Sequence, residues 1–406
     1  MRRFARPAAG LSLALAILAG GCQGHGAYTQ EHINTSQARL DQIKSANEFQ
    51  MAEQAFLAGE LEKALTKVEQ SIQFNNQVAR SHVLRGRILA EMNILTESMA
   101  SFARAEELEP DNVDAQYYQG VLHERVQERE QALARYTRAL ELAPSNPQFA
   151  LAAAEVMIDM GSLDRAESFL AERENIFRLD PGVQQLLGHI AMMRGDTQTA
   201  AARFGQARIL APEDQSTTED LVHALMELKN YSEADFYLSA MLRRSENENR
   251  RDLKHLRVQC LQALERPVEA RDILVGLVQG DGQTDVQAWI ALGNVSLQLR
   301  DLGRVREAAS RVVGLAPNRP DGFILRAMWN RHMGDYSAAL RSLDDALDVT
   351  PQDTSLRVMQ AAILVEAGRS DLAIRELRMA QASDPSNPQV TRALESLMRE
   401  AAVPTN

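Results

Sequence analysis

The sequence predicts an all-α fold assembled from one repeated two-helix unit of 34 residues. Three observations carry that prediction. First, Pro110, Pro144, Pro212, Pro317, Pro351 and Pro385 are separated by 34, 68, 105, 34 and 34 residues, and helix breakers at such spacing punctuate a repeat. Second, small residues recur at fixed places between the prolines. In the clearest copy, 320–353, Ala327 lies mid-way along the first helix, Gly334-Asp335 makes the turn, and Ala339 and Ala346 lie on the inner face of the second. Third, the chain is 45% hydrophobic but only 5% aromatic, a composition suited to closely packed helices rather than β-structure. A single core for 406 residues would split into domains; an array of repeats grows in one dimension instead.

In chain order, residues 1–21 read as a secretory signal. Arg2, Arg3 and Arg6 precede an apolar run from Leu11 to Ala19 that is too short to span a membrane. The ending Ala19-Gly20-Gly21-Cys22 resembles a bacterial lipobox, with Ala19 standing where leucine is commonest. The resemblance implies that Cys22 is acylated and becomes the first mature residue; the alternative is an ordinary leader cut after a small residue. Gln23 follows the cysteine, and by the same resemblance the absence of Asp there favours the outer membrane, facing the periplasm. Residues 22–44 are then a lipidated N-terminus, a polar tether through residue 35, and the start of the first helix with Ser36 as its candidate cap.

Counting back from the prolines places five repeats over 45–214. Gly59 and Ala64 mark the first, Gly86, Phe102 and Ala105 the second, and Gly120, Ala132, Tyr136 and Ala139 the third. Ala154, Gly161 and Ala166 mark the fourth, which lacks its proline, and Gly188, Gly195, Ala200, Phe204 and Ala207 the fifth. Residues 215–285 read as two degenerate repeats that keep Ala234 and Ala270 but contain the charged stretch 243–254 and the polar loop 279–285. The three residues by which 105 exceeds three periods fall here, either as a hinge or as a tolerated loop insertion. Repeats eight to ten occupy 286–387, and 388–406 reads as a capping helix and tail. Small residues at positions 8, 20 and 27 let helices approach, and a large apolar residue at position 24 fills the space left.

This pattern resembles the tetratricopeptide repeat. The resemblance implies a right-handed superhelical solenoid of antiparallel helix pairs, about ten repeats long. It also implies that the first helix of each pair lines a concave groove. On that face lie Phe49, Glu53, Arg80, Arg87, Glu91, Tyr117, Glu124, Glu155, His189, Met193, His223, Glu227 and Asn294. Some members clamp a partner's terminal carboxylate with Lys and Asn; the matching positions here are Glu53, Arg87 and Val121, so that clamp is not implied. The mixture of aromatic, Met, Arg and Glu side chains suits an extended peptide or a partner helix.

Other functions find little support. The net charge is −11, and −14 without the leader arginines, which argues against nucleic acid. His123-Glu124 lacks a second histidine at 127, where Gln stands, so no zinc-peptidase motif forms. No phosphate loop, nucleophile elbow or paired Cys-x-x-Cys occurs. His189 and His223 stand one period apart, with His255 near the equivalent face; they read as a metal-binding patch or as polar residues lining the groove, and no cysteine or carboxylate set completes a metal site. Cys260 reads as a lone buried thiol. The expectation is therefore a non-enzymatic, cofactor-free, membrane-anchored adaptor for other proteins, serving a pilus- or secretion-type envelope assembly. The alternative is a substrate-recruiting subunit of an exopolysaccharide or cell-wall enzyme complex.

Overall fold

The computed structural model describes residues 27–402, and all of their regular structure is helical. Cys22, Gln23 and the leader lie outside the described residues. Two compact units divide the chain between Ile190 and Ala191.

The first unit contains α1 (Ala27–Leu57), α2 (Leu61–Phe74), α3 (Ala79–Glu91), α4 (Leu95–Leu108), α5 (Val113–Arg125), α6 (Arg129–Leu142), α7 (Pro147–Asp159), α8 (Leu163–Ala171), α9 (Glu174–Phe177) and most of α10 (Pro181–Met193). Each odd-numbered helix from α1 to α7 packs on the even-numbered one that follows, and α3 also touches α1 and α5. The second unit holds α11 (Thr197–Leu210), α12 (Gln215–Glu227), α13 (Tyr231–Leu242), α14 (Arg251–Ala263), α15 (Pro267–Leu277), α16 (Val286–Gln298), α17 (Leu302–Leu315), α18 (Asp321–His332), α19 (Tyr336–Val349), α20 (Thr354–Glu366), α21 (Ser370–Ser383) and α22 (Pro388–Ala402). Here too successive helices pack on one another.

One backbone feature sets the register. Gly59, Asn93, Gln127, Gly161, Gly195, Lys229, Glu265, Arg300, Gly334 and Gly368 all have φ between 54° and 80°. They occupy the same turn, between the two helices of a repeat, ten times over. The left-handed conformation ends the first helix and reverses the chain. Half of these positions are not glycine, so the turn is legible in the sequence only where the strain is absent. Asn112, Asn146, Asp196, Asp214, Asp285, Asp301, Asp335 and Asp353 then cap following helices by accepting a backbone N–H, each contributing about 1 kcal/mol.

The core is a series of fitted pairs. At Gly86 an added Cβ would lie 2.5 Å from the Phe102 ring, and at Gly120 2.6 Å from the Tyr136 ring. Where position 8 is alanine, the residue sixteen further on is smaller: Val68 follows Ala52, Leu170 follows Ala154, Leu343 follows Ala327 and Leu377 follows Ala361, all buried. Gly293 is the exception. Its partner position holds Ala309, and the space is filled by Leu325 from the next repeat, 2.6 Å from where a Cβ would stand.

Three expectations are corrected. The tether is helical from Ala27, and Ser36 lies inside α1, not at its cap. No Pro or Gly interrupts 27–57, and Thr35 and Gln37 make side-chain hydrogen bonds to the Glu31 carbonyl and the Asp41 carboxylate one turn away. The second helix of repeat four is broken into α8 and α9. Arg173 occupies the small position 27 and cannot pack there; it stacks 4.0 Å over Phe169, and Phe177 is buried instead. The extra residues of repeats six and seven are not loose loops. Two fall in a 3₁₀ turn at Ser245–Asn247, where buried Asn247 donates to Gln215 and to the Met241 carbonyl. One falls in a second turn at Gly280–Thr284. There Trp289 donates to the Gln283 carbonyl at 2.9 Å, Arg251 donates to the Leu277 carbonyl, and a Cβ on Gly282 would collide with the latter oxygen.

Candidate partner-binding surface

In the first unit the groove residues meet on one face, built by α1, α3, α5 and α7. Arg80 lies over Phe49 at 4.7 Å, so α3 and α1 are joined by a cation–π contact. Arg87 is held between Phe56 and Tyr118, 5.0 Å and 4.9 Å from the ring centres. Its guanidinium is thus a half-buried spacer between α1 and α5 rather than a free hand for a partner. Arg125 donates to the Ala90 carbonyl at 2.8 Å and stands 3.8 Å from Glu91. These three arginines are therefore spent on the protein itself, while the exposed carboxylates of Glu53 and Glu155 have no ion-pair partner among the described residues.

The face deepens into a pocket of about 410 Å³ between α5, α6 and α7, walled by Tyr117, Glu124, Tyr136, Ala152, Glu155 and Asp159 among others. Tyr117 is its aromatic wall. It packs against Tyr118, Tyr136 and Phe149 at 5.1–5.6 Å, and its hydroxyl accepts from Gln148 at 2.8 Å. The Tyr136 hydroxyl donates to Glu124 at 2.7 Å. Burial, that bond and nearby carboxylates raise the tyrosine's pKa, so the donor keeps its proton. Glu155 is crowded by the pocket walls although much of its surface is open. Burial first, then the charges of Glu124 and Asp159, raise its pKa. Three carboxylates thus share a cleft whose two rim arginines face other partners, Arg125 the Ala90 carbonyl and Arg129 the Gln127 side chain, an arrangement that favours an incoming positive or hydrogen-bond-donating group.

In the second unit Met193, His223, Glu227 and Asn294 are all exposed, and Glu227 accepts from Thr197 at 3.2 Å. His189, in the first unit, is half-buried. His255 is not on an open face: it bonds Asp285 at 2.9 Å, beside Arg251. Among the described residues no three His, Cys, Asp or Glu are placed to hold a metal, and no helix is long and apolar enough to cross a membrane. Cys260 is buried, and burial pushes its thiol up to about 11. A larger pocket, of about 730 Å³, lies between α19, α20 and α21 and uses none of the residues singled out from the sequence. Its signal was present: Arg341 and Arg375 stand one 34-residue period apart.

Two stretches, 127–190 and 331–397, match a family model described as the tetratricopeptide repeat. Among solved structures, PilF of Pseudomonas aeruginosa is 12% identical over 50% of this chain and 92% of its own, with a TM-score of 0.44. PilW, described as a widely conserved type IV pilus biogenesis factor, is 18% identical over 49% of this chain and 92% of its own, with a TM-score of 0.42. YrrB, described as a protein of this repeat type with an unusual peptide-binding site, is 17% identical over 48% of this chain and 97% of its own, with a TM-score of 0.36. No curated protein matches the chain.

Proposed function

Because the chain is a tetratricopeptide-repeat protein, we propose that it is a scaffold that binds another protein along the α1–α3–α5–α7 face. The partner lays an extended segment or a helix across Phe49 and Tyr117 and presents basic or amide groups to Glu53, Glu124 and Glu155. One observation carries this reading: Arg80, Arg87 and Arg125 are consumed by rings and a carbonyl, while Glu53 and Glu155 are exposed with no ion-pair partner among the described residues. Docking then uses aromatic and apolar contact for affinity and the carboxylates for register.

We further propose that this scaffold works at the cell envelope. Acylated Cys22 anchors it in the outer membrane, facing the periplasm, and its client belongs to a pilus- or secretion-type assembly. The lipobox-like ending at Ala19–Cys22 and Gln23 support this reading. An anchor raises the local concentration of the binding face at the membrane without adding a contact.

The test is photocrosslinking in native envelopes, with the reactive side chain placed at residue 53 or 155 and, as a control, at exposed Glu141 on α6. The expected result is one shared protein captured from 53 and 155 and absent from 141. Capture of the same protein from all three positions, or of none, refutes the face. Cys22→Ser should abolish acylation and move the chain out of the detergent phase; unchanged partitioning refutes the anchor.

A further inference from the structure

The pocket between α19, α20 and α21 has the opposite electrostatic character from the face just described. Its floor is apolar, formed by Leu340, Leu364 and Leu372, with Met379 at the rim, 44% exposed. Its walls carry Arg341, Arg369, Arg375 and Arg378. All four are exposed, and none has an ion-pair partner among the described residues. Neighbouring arginines are engaged: Arg326 with Asp345, Arg331 with Glu366, Arg357 with Glu376. The two carboxylates that line the pocket do not neutralise it. Glu376 is taken by Arg357 at 3.2 Å, and Asp344 accepts from the Gln360 amide at 2.6 Å.

Four guanidinium ions against the one unpaired carboxylate of Asp344 leave the pocket positive in a chain of net charge −11. Like charges held around one concavity repel, and an anion placed among them relieves that repulsion. Guanidinium forks match carboxylates in bidentate geometry. Arg341 and Arg375 occupy equivalent places in successive repeats, so the spacing between them is set by rigid helix packing. The leucine floor narrows the ligand further, because it rewards an aliphatic group that reaches past the charged rim. A planar layer of lipid headgroups meets only the rim, whereas a peptide side chain fits inside.

We propose that this pocket docks an acidic segment of a partner protein, with Asp or Glu carboxylates on the arginines and an aliphatic side chain between them on the leucine floor. It is a second docking site, formed by α19 and α21 with Gln360 and Leu364 of α20 between them, and independent of the face proposed above. With both sites filled, one chain would hold two clients of opposite charge.

The experiment is fluorescence anisotropy on the full chain with a labelled Glu-Glu-Leu-Glu-Asp-Leu-Glu peptide, its Gln/Asn counterpart, and vesicles of phosphatidylcholine with phosphatidylglycerol. The acidic peptide should bind, weaken on adding salt, and lose about tenfold or more in affinity in the Arg375→Glu, Arg378→Glu double variant. Because both side chains are exposed, the circular dichroism of that variant should be unchanged, and Arg341→Gln with Arg375→Gln gives a milder pair with a smaller loss. Equal binding of the neutral peptide, unchanged affinity in both variant pairs, or binding to vesicles but not to peptide each overturns the proposal. Crosslinking from residues 53 and 155 is indifferent to all of these outcomes, so the two sites stand or fall separately.

Discussion

Gly86 and Phe102 form a hole and knob of matched size, and they allow a quantitative test. In Gly86→Ala the new methyl would sit 2.5–2.7 Å from three atoms of the Phe102 ring. The ring is 1% exposed and stacks on Tyr118 at 5.7 Å, so it has no open side to move toward. Relief requires a shift of about 1 Å, and overpacking of this kind costs about 1–3 kcal/mol. Phe102→Leu alone leaves a void over Gly86 and costs about 1–2 kcal/mol. The double variant recreates the Ala–Leu pairing that the chain uses at Ala154 and Leu170, Ala327 and Leu343, and Ala361 and Leu377. It should therefore lose about 1–2 kcal/mol less than the sum of the single changes. Repeat arrays do not always unfold in one step, so amide exchange in α3–α5 should be followed alongside the urea midpoint. Additivity to within about 0.5 kcal/mol would refute size matching as the organising rule of the core.

Three further outcomes follow from the same structure. Glu155 has a raised pKa, so its charged form opposes folding as pH rises through the native value; Glu155→Gln should raise the urea midpoint at pH 7, and the gain should fade below the usual 4.5, where the wild-type carboxyl is also neutral. Asp285 has the opposite sign: burial raises its pKa, but the Ala288 amide, Arg251 and His255 outweigh that and hold it below the usual 3.8. Its contribution is complete above that value and lost as pH falls through the lower native one, so Asp285→Asn should cost about 2 kcal/mol at pH 7 and flatten the acid limb of the stability profile. Gln127→Gly removes a strained left-handed side chain (φ 63°) and should stabilise the first unit by about 0.5–1 kcal/mol, read from the urea midpoint.

The fold was legible because its determinants are local and periodic. Proline at a repeat end, glycine or alanine at position 8 and a large residue at position 24 are visible in one dimension. The turn at Gln127 or Lys229 was not, because left-handed backbone in a polar residue leaves no mark on composition. The break at Arg173 was foreshadowed by the missing proline of repeat four, but stacking on Phe169 depends on a rotamer. At the proposed face the sequence picked out Glu155 and Tyr117, which do share a pocket. It gave Arg80 and Arg87 the same standing, although rings of adjacent helices occupy them. The arginine pocket is not legible from the first helices, because its arginines sit on or beside the second helix of each pair.

The knob-and-hole pairs also bear on how such a chain can be cut and rearranged. Where hole and knob belong to one repeat, as at Gly86 and Phe102 or Gly120 and Tyr136, the block carries its own fit and can be duplicated or transplanted as a self-consistent cassette. Gly293 breaks that rule, because its cavity is plugged by Leu325 from the following block. A cut after residue 319 would separate lock from key, so repeats eight and nine should be inherited, or engineered, as a single piece.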